Sequence, residues 1–340
     1  MTVNMQDWPC ALGLPRLTAV FRQQPEDFRV DEVLGFEPDG AGEHLWLQVE
    51  KTGLNTIDVA RTLARLTGVK ERDIGYAGLK DRQAVTTQWF SVAGAEPINS
   101  ETPAAIRLLQ QVRNSRKMRR GSHRGNRFAI TLRDVQAGAA EIDEWQELLG
   151  KAGVPNYFGP QRFGFDGGNV DKARRYFSGN LPRLPRHHRG LYLSAARAYL
   201  FNQVLAERVR QGTWNLILPG EIMALDGTNS VFRAEPEDAR LPARLAEGDI
   251  HPTGPMWGKG DLATDIEVKE LEQAVVQQHA DLADGLVQAG LEQERRALRV
   301  FPGQFAVKPA GQDAVMIEFS LPRGAFATSV LREMVIAVGL

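Results

Sequence analysis

Apolar and polar residues alternate in several short, widely separated stretches of this chain, with no repeating unit to join them. Phe28-Arg-Val-Asp-Glu-Val33, His44-Leu-Trp-Leu-Gln-Val-Glu50, Phe128-Ala-Ile-Thr-Leu132 and Val315-Met-Ile-Glu-Phe319 each read as strands with one face buried. Gly35, Pro38, Asp39, Gly40 and Gly42 punctuate the space between the first two, which predicts a hairpin-like pair. Helical stripes fall among the strands without a regular rhythm. Asn55-Thr56 offers a cap to a helix over 57–67 with Val59, Leu63 and Leu66 inward, and Gly68 ends it. A second helix is predicted over 139–149, with Ile142, Trp145, Leu148 and Leu149 inward. Strands and helices in this irregular mixture point to an α+β sheet domain rather than βαβ winding.

A chain of 340 residues suits two domains, or one with a large insertion. The character changes at Pro155-Asn-Tyr-Phe-Gly-Pro-Gln-Arg-Phe-Gly164, a Gly/Pro/aromatic junction. Beyond it, helices are expected over 194–209, 268–286 and 290–297, around a Gly-, Pro- and acid-rich part at 226–260 with weak periodicity. The end, with a strand at 315–319 and a helix over 324–338, resembles the first half more than the middle does. The expected division is therefore 1–154 with 306–340 as one domain and 155–305 inserted into it.

Composition removes several classes. One cysteine, Cys10, excludes an internal disulfide framework and a cysteine-based zinc site. No basic start with an apolar run opens the chain, and no window offers the roughly 18 apolar residues of a membrane span. A cytoplasmic protein is expected. Phosphate-binding Walker loops, dinucleotide glycine fingerprints and Gly-x-Ser-x-Gly elbows are missing from the sequence. The histidines (His44, His123, His187, His188, His251, His279) show no metal-ligand spacing. The acid pairs Glu26-Asp27 and Asp31-Glu32 sit at or on strands and read as edge or turn residues rather than a glycosidase pair.

The formal net charge is −1, but the charges are segregated. Arg113, Arg116, Lys117, Arg119, Arg120, Arg124 and Arg127 follow one another with no acid among them. A second basic stretch, from Lys172 to Arg197, carries Arg174, Arg175, Arg183, Arg186 and Arg189 beside His187-His188. The acids gather in 235–249 and 264–294. Such a pattern describes either a solvated surface or a face for a polyanion, and the acid-free Arg run favours nucleic acid.

One carboxylate stands apart. Gly75-Tyr-Ala-Gly-Leu-Lys-Asp-Arg-Gln-Ala-Val-Thr-Thr-Gln-Trp-Phe-Ser-Val92 places Asp81 in a Gly-relaxed loop just ahead of a strand. The same residues also describe an exposed turn. An Asp can serve as a covalent nucleophile without a cofactor when a nearby cation keeps it ionised. In extended backbone, Lys80 and Arg82 point away from Asp81, so the cation is expected from elsewhere, with Arg22 one candidate.

Gly78-Leu-Lys-Asp-Arg-Gln-Ala-Val-Thr-Thr-Gln88 resembles the signature of the TruD family of tRNA pseudouridine synthases. Pro25-Glu-Asp-Phe28, Arg124-Gly-Asn-Arg-Phe128, the junction 155–164, Ser194–Gln203 and Leu321–Glu333 resemble further blocks of that family, in order. The likeness is weakest across 226–310; Leu79, Arg82 and Gly324-Ala-Phe326 depart from some members, which carry Gln, Lys and Gly-Ser-Phe there. The resemblance implies a pseudouridine-synthase-like catalytic domain, with a central mixed, largely antiparallel sheet, and an inserted α+β TRUD domain. It implies isomerisation of uridine to pseudouridine in tRNA, at position 13 in the D-arm of a glutamate-type tRNA, with no cofactor or metal; a monomer with a basic cleft between its two domains is expected separately. It further implies Asp81 as nucleophile and Phe28, Asn126, Phe128 and Phe326 as substrate contacts. Without it, a Phe in a strand pattern reads as core, and Asn126 as a turn residue after Gly125. Arg22, Lys80, Arg82, Arg116, Lys117, Arg119, Arg120 and Arg124 are candidate active-site or RNA contacts. A catalytically silent RNA-binding or folding protein of the same fold is the alternative. A pure binder has no need of an acid among phosphate-seeking cations, and Asp81 is intact.

Overall fold

The computed structural model describes residues 3, 7–135, 139–164, 167–181 and 184–338; Arg183 of the second basic stretch lies outside them. The first part of the chain runs β1 (Leu17–Phe21), β2 (Phe28–Val33), β3 (His44–Thr52), α1 (Thr56–Thr67), β4 (Ile74–Tyr76), β5 (Val85–Ala93), β6 (Ile106–Asn114), β7 (Gly125–Arg133) and α2 (Ala139–Ala152). Then come β8 (Val154–Pro155), α3 (Asn169–Phe177), α4 (Arg186–Arg210), β9 (Ile222–Leu225), β10 (Val231–Arg233), α5 (Leu241–Ala246), β11 (Ile250–Met256), α6 (Ile266–Gln277), α7 (Ala280–Gln288) and β12 (Glu294–Ala297). The chain ends with β13 (Arg299–Val300), β14 (Gly303–Pro309), β15 (Ala314–Pro322), α8 (Ala327–Leu331) and β16 (Val335–Val338).

The principal sheet has the order β14-β15-β7-β2-β5-β3-β6, with β1, β16 and β4 attached beside it. Its pairings are antiparallel except β1 with β16 and β2 with β5. This is the mixed, largely antiparallel sheet of the expected α+β class. β2 and β3 do not form the predicted hairpin. β5 lies between them, parallel to β2 and antiparallel to β3. The reason is burial: eight of the nine residues of β5 are buried, and a strand covered on both faces belongs in the middle of a sheet. α1 forms as its caps dictate, with Asn55 and Asp58 in a reciprocal capping box and Gly68 in the left-handed conformation at its end. Its stripe of Val59, Ala60 and Leu63 is buried with Leu45, Leu47, Phe90 and Val92 from the sheet.

A separate core cluster gathers around α4, where Ala195, Ala196, Ala198, Leu200, Phe201, Val204 and Leu205 meet residues of α3, α6 and α7. The small β10-β9-β11-β12 sheet completes this half. Where the chain leaves the first half and where it returns are paired directly: Val154 and Pro155 of β8 face Val300 and Arg299 of β13. Trp8, near the N-terminus, packs with the second cluster, stacked on Tyr157 at 5.6 Å. Two buried ion pairs stiffen this half, Arg208–Glu221 at 2.9 Å and Arg295–Glu272 at 2.7 Å.

Several predicted helices differ. α4 starts eight residues earlier than the 194–209 stripe, since its first turns are exposed and carry no stripe to read. The stretch 268–286 is two helices broken at His279. Residues 294–297, read as helix, form β12 against Thr253–Met256. The predicted helix over 324–338 is only the short α8; β16 then takes the edge slot parallel to Leu17–Val20, which suits β-branched Val335, Ile336 and Val338. β6 and β14 carry too little alternation to be read beforehand. No helix of the described residues is long and apolar enough to cross a membrane.

Candidate active site

Asp81 sits in the loop 77–84 between β4 and β5, and that loop is fastened at three points. The carbonyl of Gly78 accepts from Gln88 Nε2 at 3.3 Å. The Lys80 amide donates to Thr56 Oγ1 at 2.9 Å, and the same hydroxyl donates to Gln88 Oε1 at 2.8 Å. The Asp81 carbonyl accepts from Lys51 Nζ at 2.6 Å. Lys51 is itself 1% exposed, and burial pushes its amine down to about 8, against the smaller opposing pull of Asp81. The backbone that carries the carboxylate is thus held by the start of α1, the end of β3 and the middle of β5.

The carboxylate is held from two further directions. Arg22 Nη2 donates to Asp81 Oδ2 at 2.9 Å, and Gln161 Nε2 lies 2.8 Å and 2.9 Å from Oδ1 and Oδ2. Arg22 follows β1 with φ 59, a left-handed backbone that costs a non-glycine residue about 1 kcal/mol or more. That conformation lays its guanidinium over Phe28, with the central carbon 4.0 Å from the ring centroid. Burial lowers the Arg22 pKa and the Asp81 charge pulls it back up. The Asp81 side chain remains 30% exposed, so it is pinned and still reachable.

The expected site residues separate into distinct groups. Lys80 does not face Asp81: its Nζ lies 3.0 Å from Glu32 and 2.6 Å from Asn126 Oδ1, nearly sealed from solvent. Because an ammonium only donates, it fixes the Asn126 amide with the oxygen towards Lys80. Arg82 turns outward and donates to the Gly53 carbonyl at 3.3 Å. Phe28 and Phe128 are buried in the main core, where Phe128 stacks on Phe319. Phe326 is half-buried and meets Phe158 edge-on, with centroids 5.8 Å apart. His123 stands beside the loop, and burial, then the charge of Lys80, lower its pKa.

Arg116, Lys117, Arg119, Arg120 and Arg124 are exposed on the segment between β6 and β7. Met118 pins that segment from within, its amide donating to Ser91 Oγ at 2.9 Å, while the Gly121 amide donates to the Ala77 carbonyl at 2.8 Å. Gly75 lets it approach, because a Cβ there would collide with the Met118 carbonyl. The basic run is therefore docked on the strand and loop that lead to Asp81, with its cations outward. Arg120 lies over Tyr76 at 3.9 Å.

The sequence does not single out Gln161 or Lys51, and it offers Thr56 only as part of a helix cap and Glu32 only as an edge or turn acid. Gln161 lies inside the junction block 155–164, so its neighbourhood was marked but not its aim. Lys51 carries no local signal, since a lysine ending a strand is ordinary.

The family profile described as tRNA pseudouridine synthase D (TruD) matches residues 10–171 and 168–334. The chain is 46% identical over 330 residues to tRNA pseudouridine synthase D of Nitrosococcus oceani, covering 94% of this chain and 91% of that one. It is 45% identical over 336 residues to the Methylococcus capsulatus protein of the same name, covering 98% and 95%. A Methanosarcina mazei crystal structure assigned to tRNA pseudouridine synthase D superposes with a TM-score of 0.72 at 22% identity, over 96% of this chain and 94% of that one.

Proposed function

The chain belongs to the TruD family of tRNA pseudouridine synthases, and from that premise we propose that it isomerises uridine to pseudouridine with Asp81 as its nucleophile. The observation that carries this is a single partly open carboxylate clamped by Arg22 and Gln161 on a loop fastened at 78, 80 and 81. The reaction breaks the bond from ribose C1′ to N1, turns the uracil and joins C5 to C1′. A proton leaves C5 and one arrives at N1, so electrons balance with no redox partner, and a bare carboxylate suffices. Attack at the ribose, attack at the base and removal of a sugar proton all require that carboxylate ionised and motionless beside the glycosidic bond. Arg22 supplies the charge and the fastened loop supplies the position.

A uridine within a folded RNA must be turned out before it can reach Asp81. Phe326, the half-buried ring, is the stacking surface, worth about 1–3 kcal/mol per base. The Asn126 Nδ2 group, directed away from Lys80, donates to a uracil carbonyl. Phe28 acts from behind, as the ring on which Arg22 rests, with Phe128 tilted against Phe28. The exposed run Arg116, Lys117, Arg119, Arg120 and Arg124 holds tRNA phosphates. In this reading residues 1–154 and 306–340 form the catalytic domain and 155–305 the inserted one. The protein works as a cytoplasmic monomer, without cofactor, on position 13 in the D-arm of a glutamate-type tRNA.

Replacing Asp81→Asn keeps the shape and removes the charge. Tritium release from C5-labelled uridine in tRNA should vanish while tRNA affinity stays nearly unchanged; turnover by the Asn variant would refute the assignment. Mapping the pseudouridine formed in a tRNA pool tests the position and the substrate together.

A further inference from the structure

Arg162 and Arg296 share the Phe158 ring, and the charge of Arg162 is felt at Arg296. The Arg296 guanidinium carbon lies 4.1 Å from the Phe158 ring centroid and that of Arg162 lies 5.2 Å from the same centroid. Among the described residues neither has a carboxylate within ion-pair reach. Among the described residues the hydrogen bonds of Arg296 all leave from Nη2, to Asn156 Oδ1 at 2.7 Å, the Gly324 carbonyl at 2.9 Å and the Asn156 carbonyl at 3.4 Å. Its Nε is buried with no acceptor, and Nη1 has none among the described residues. Among the described residues Arg162 uses only Nη1, donating to Ser194 Oγ at 2.8 Å.

We infer that Arg162 and Arg296 together grip one phosphodiester of the RNA chain, beside the uridine presented to Asp81. The inference rests on the proposed function above and names a further contact at the same site. A purely structural role accounts for Nη2 of Arg296 and Nη1 of Arg162, and leaves the other donors of both groups idle. Holding two like charges half-buried and unpaired is costly. Burial lowers both, Arg296 to about 9, with the charge of Arg162 adding to the fall. A phosphate supplies what is missing: negative charge and acceptor oxygens matched to the planar guanidinium fork. Location fits the same ligand. Arg162 follows Gln161, which touches Asp81, and its guanidinium lies 5.9 Å from the Phe326 ring. Nη1 of Arg296 faces Gly324, where a side chain would begin to cover it.

The test uses the full chain with tRNA that is native or carries single neutral methylphosphonate linkages, one at a time, at the phosphates flanking the target uridine. Arg162→Gln and Arg296→Gln are compared with Arg296→Lys, which keeps charge but loses the fork. We expect each Gln variant to raise KM about tenfold and to flatten the slope of log affinity against log salt by about one. One methylphosphonate should weaken wild type comparably and weaken the Gln variants no further. Arg296→Lys should recover part of the affinity. Since Arg296→Gln risks the fold, Arg162→Gln, bonded only to one hydroxyl, decides the matter if circular dichroism shows Arg296→Gln misfolded. Unchanged salt slopes, or losses that simply add at every flanking linkage, overturn the inference. Wild-type tritium release alongside a dead Asp81→Asn variant shows that the proposed function survives such a failure.

Discussion

Lys51 offers a test in which a pH profile reads the site directly. The residue is 1% exposed, and among the described residues no carboxylate forms an ion pair with its amine; its hydrogen bond goes to the Asp81 carbonyl at 2.6 Å. Burial lowers it from 10.5 to about 8. Each tenfold change in proton affinity corresponds to about 1.4 kcal/mol, so keeping this amine charged in the folded state costs about 3 kcal/mol. The unfolded chain holds the proton up to about 10.5 and the folded chain releases it near 8. The cost is therefore present in full below pH 8 and disappears as pH rises towards 10.5. In Lys51→Met that dependence is gone. Urea unfolding of both proteins from pH 7 to 10 should show wild type gaining about 2–3 kcal/mol relative to the variant, since all other groups cancel in the comparison. The variant also leaves the Asp81 carbonyl without its donor, and its single-turnover rate should fall about tenfold at pH 7 through the loosened loop. A stability difference that does not change between pH 7 and 10 would refute the buried-charge reasoning. An unchanged rate would refute the role of Lys51 in holding Asp81.

Thr56→Val removes the hydroxyl that joins the Lys80 amide to Gln88, leaving a buried donor unmet at a cost of about 1–3 kcal/mol; both melting temperature and single-turnover rate should drop, and a variant that loses only stability would separate the loop from the chemistry. Neutralising Arg116, Lys117, Arg119 and Arg120 together should weaken tRNA binding and flatten its salt dependence, measured by filter binding from 50 to 200 mM salt, about the range in which several phosphate contacts tell. An unchanged slope would mark the run as a solvated face. Arg208→Met strands the Glu221 carboxylate, whose pKa burial already raises, and should destabilise the α4 half by about 3–5 kcal/mol in urea, with catalysis by the surviving folded fraction intact.

Much of the site was legible in the chain because its signals are local. The glycines and the Lys-Asp-Arg triplet before a β-rich run mark the Asp81 loop, and Asn55, Asp58 and Gly68 write the limits of α1 into a dozen residues. A basic run with no acid within it stays at the surface because burying so many unpaired cations costs more than packing returns. These readings need only neighbours in sequence. Strand order does not work that way. The insertion of β5 between β2 and β3, and the parallel seat of β16 beside β1, follow from which surfaces the whole molecule can cover. A local apolar stripe over 324–338 cannot distinguish a helix from a short helix followed by an edge strand, since both bury Val330, Leu331 and Met334. The carboxylate's partners are equally remote: Arg22 is fifty-nine positions away and Gln161 eighty. Sequence determined that one acid stands in a loop beside cations; the tertiary structure alone decided which cation reaches it, that Lys80 turns away to Glu32 and Asn126, and that Phe28 lies beneath Arg22. The physical reason is range: capping, turn and alternation preferences act over a few residues, whereas a pinned charge is defined by groups that only folding brings together.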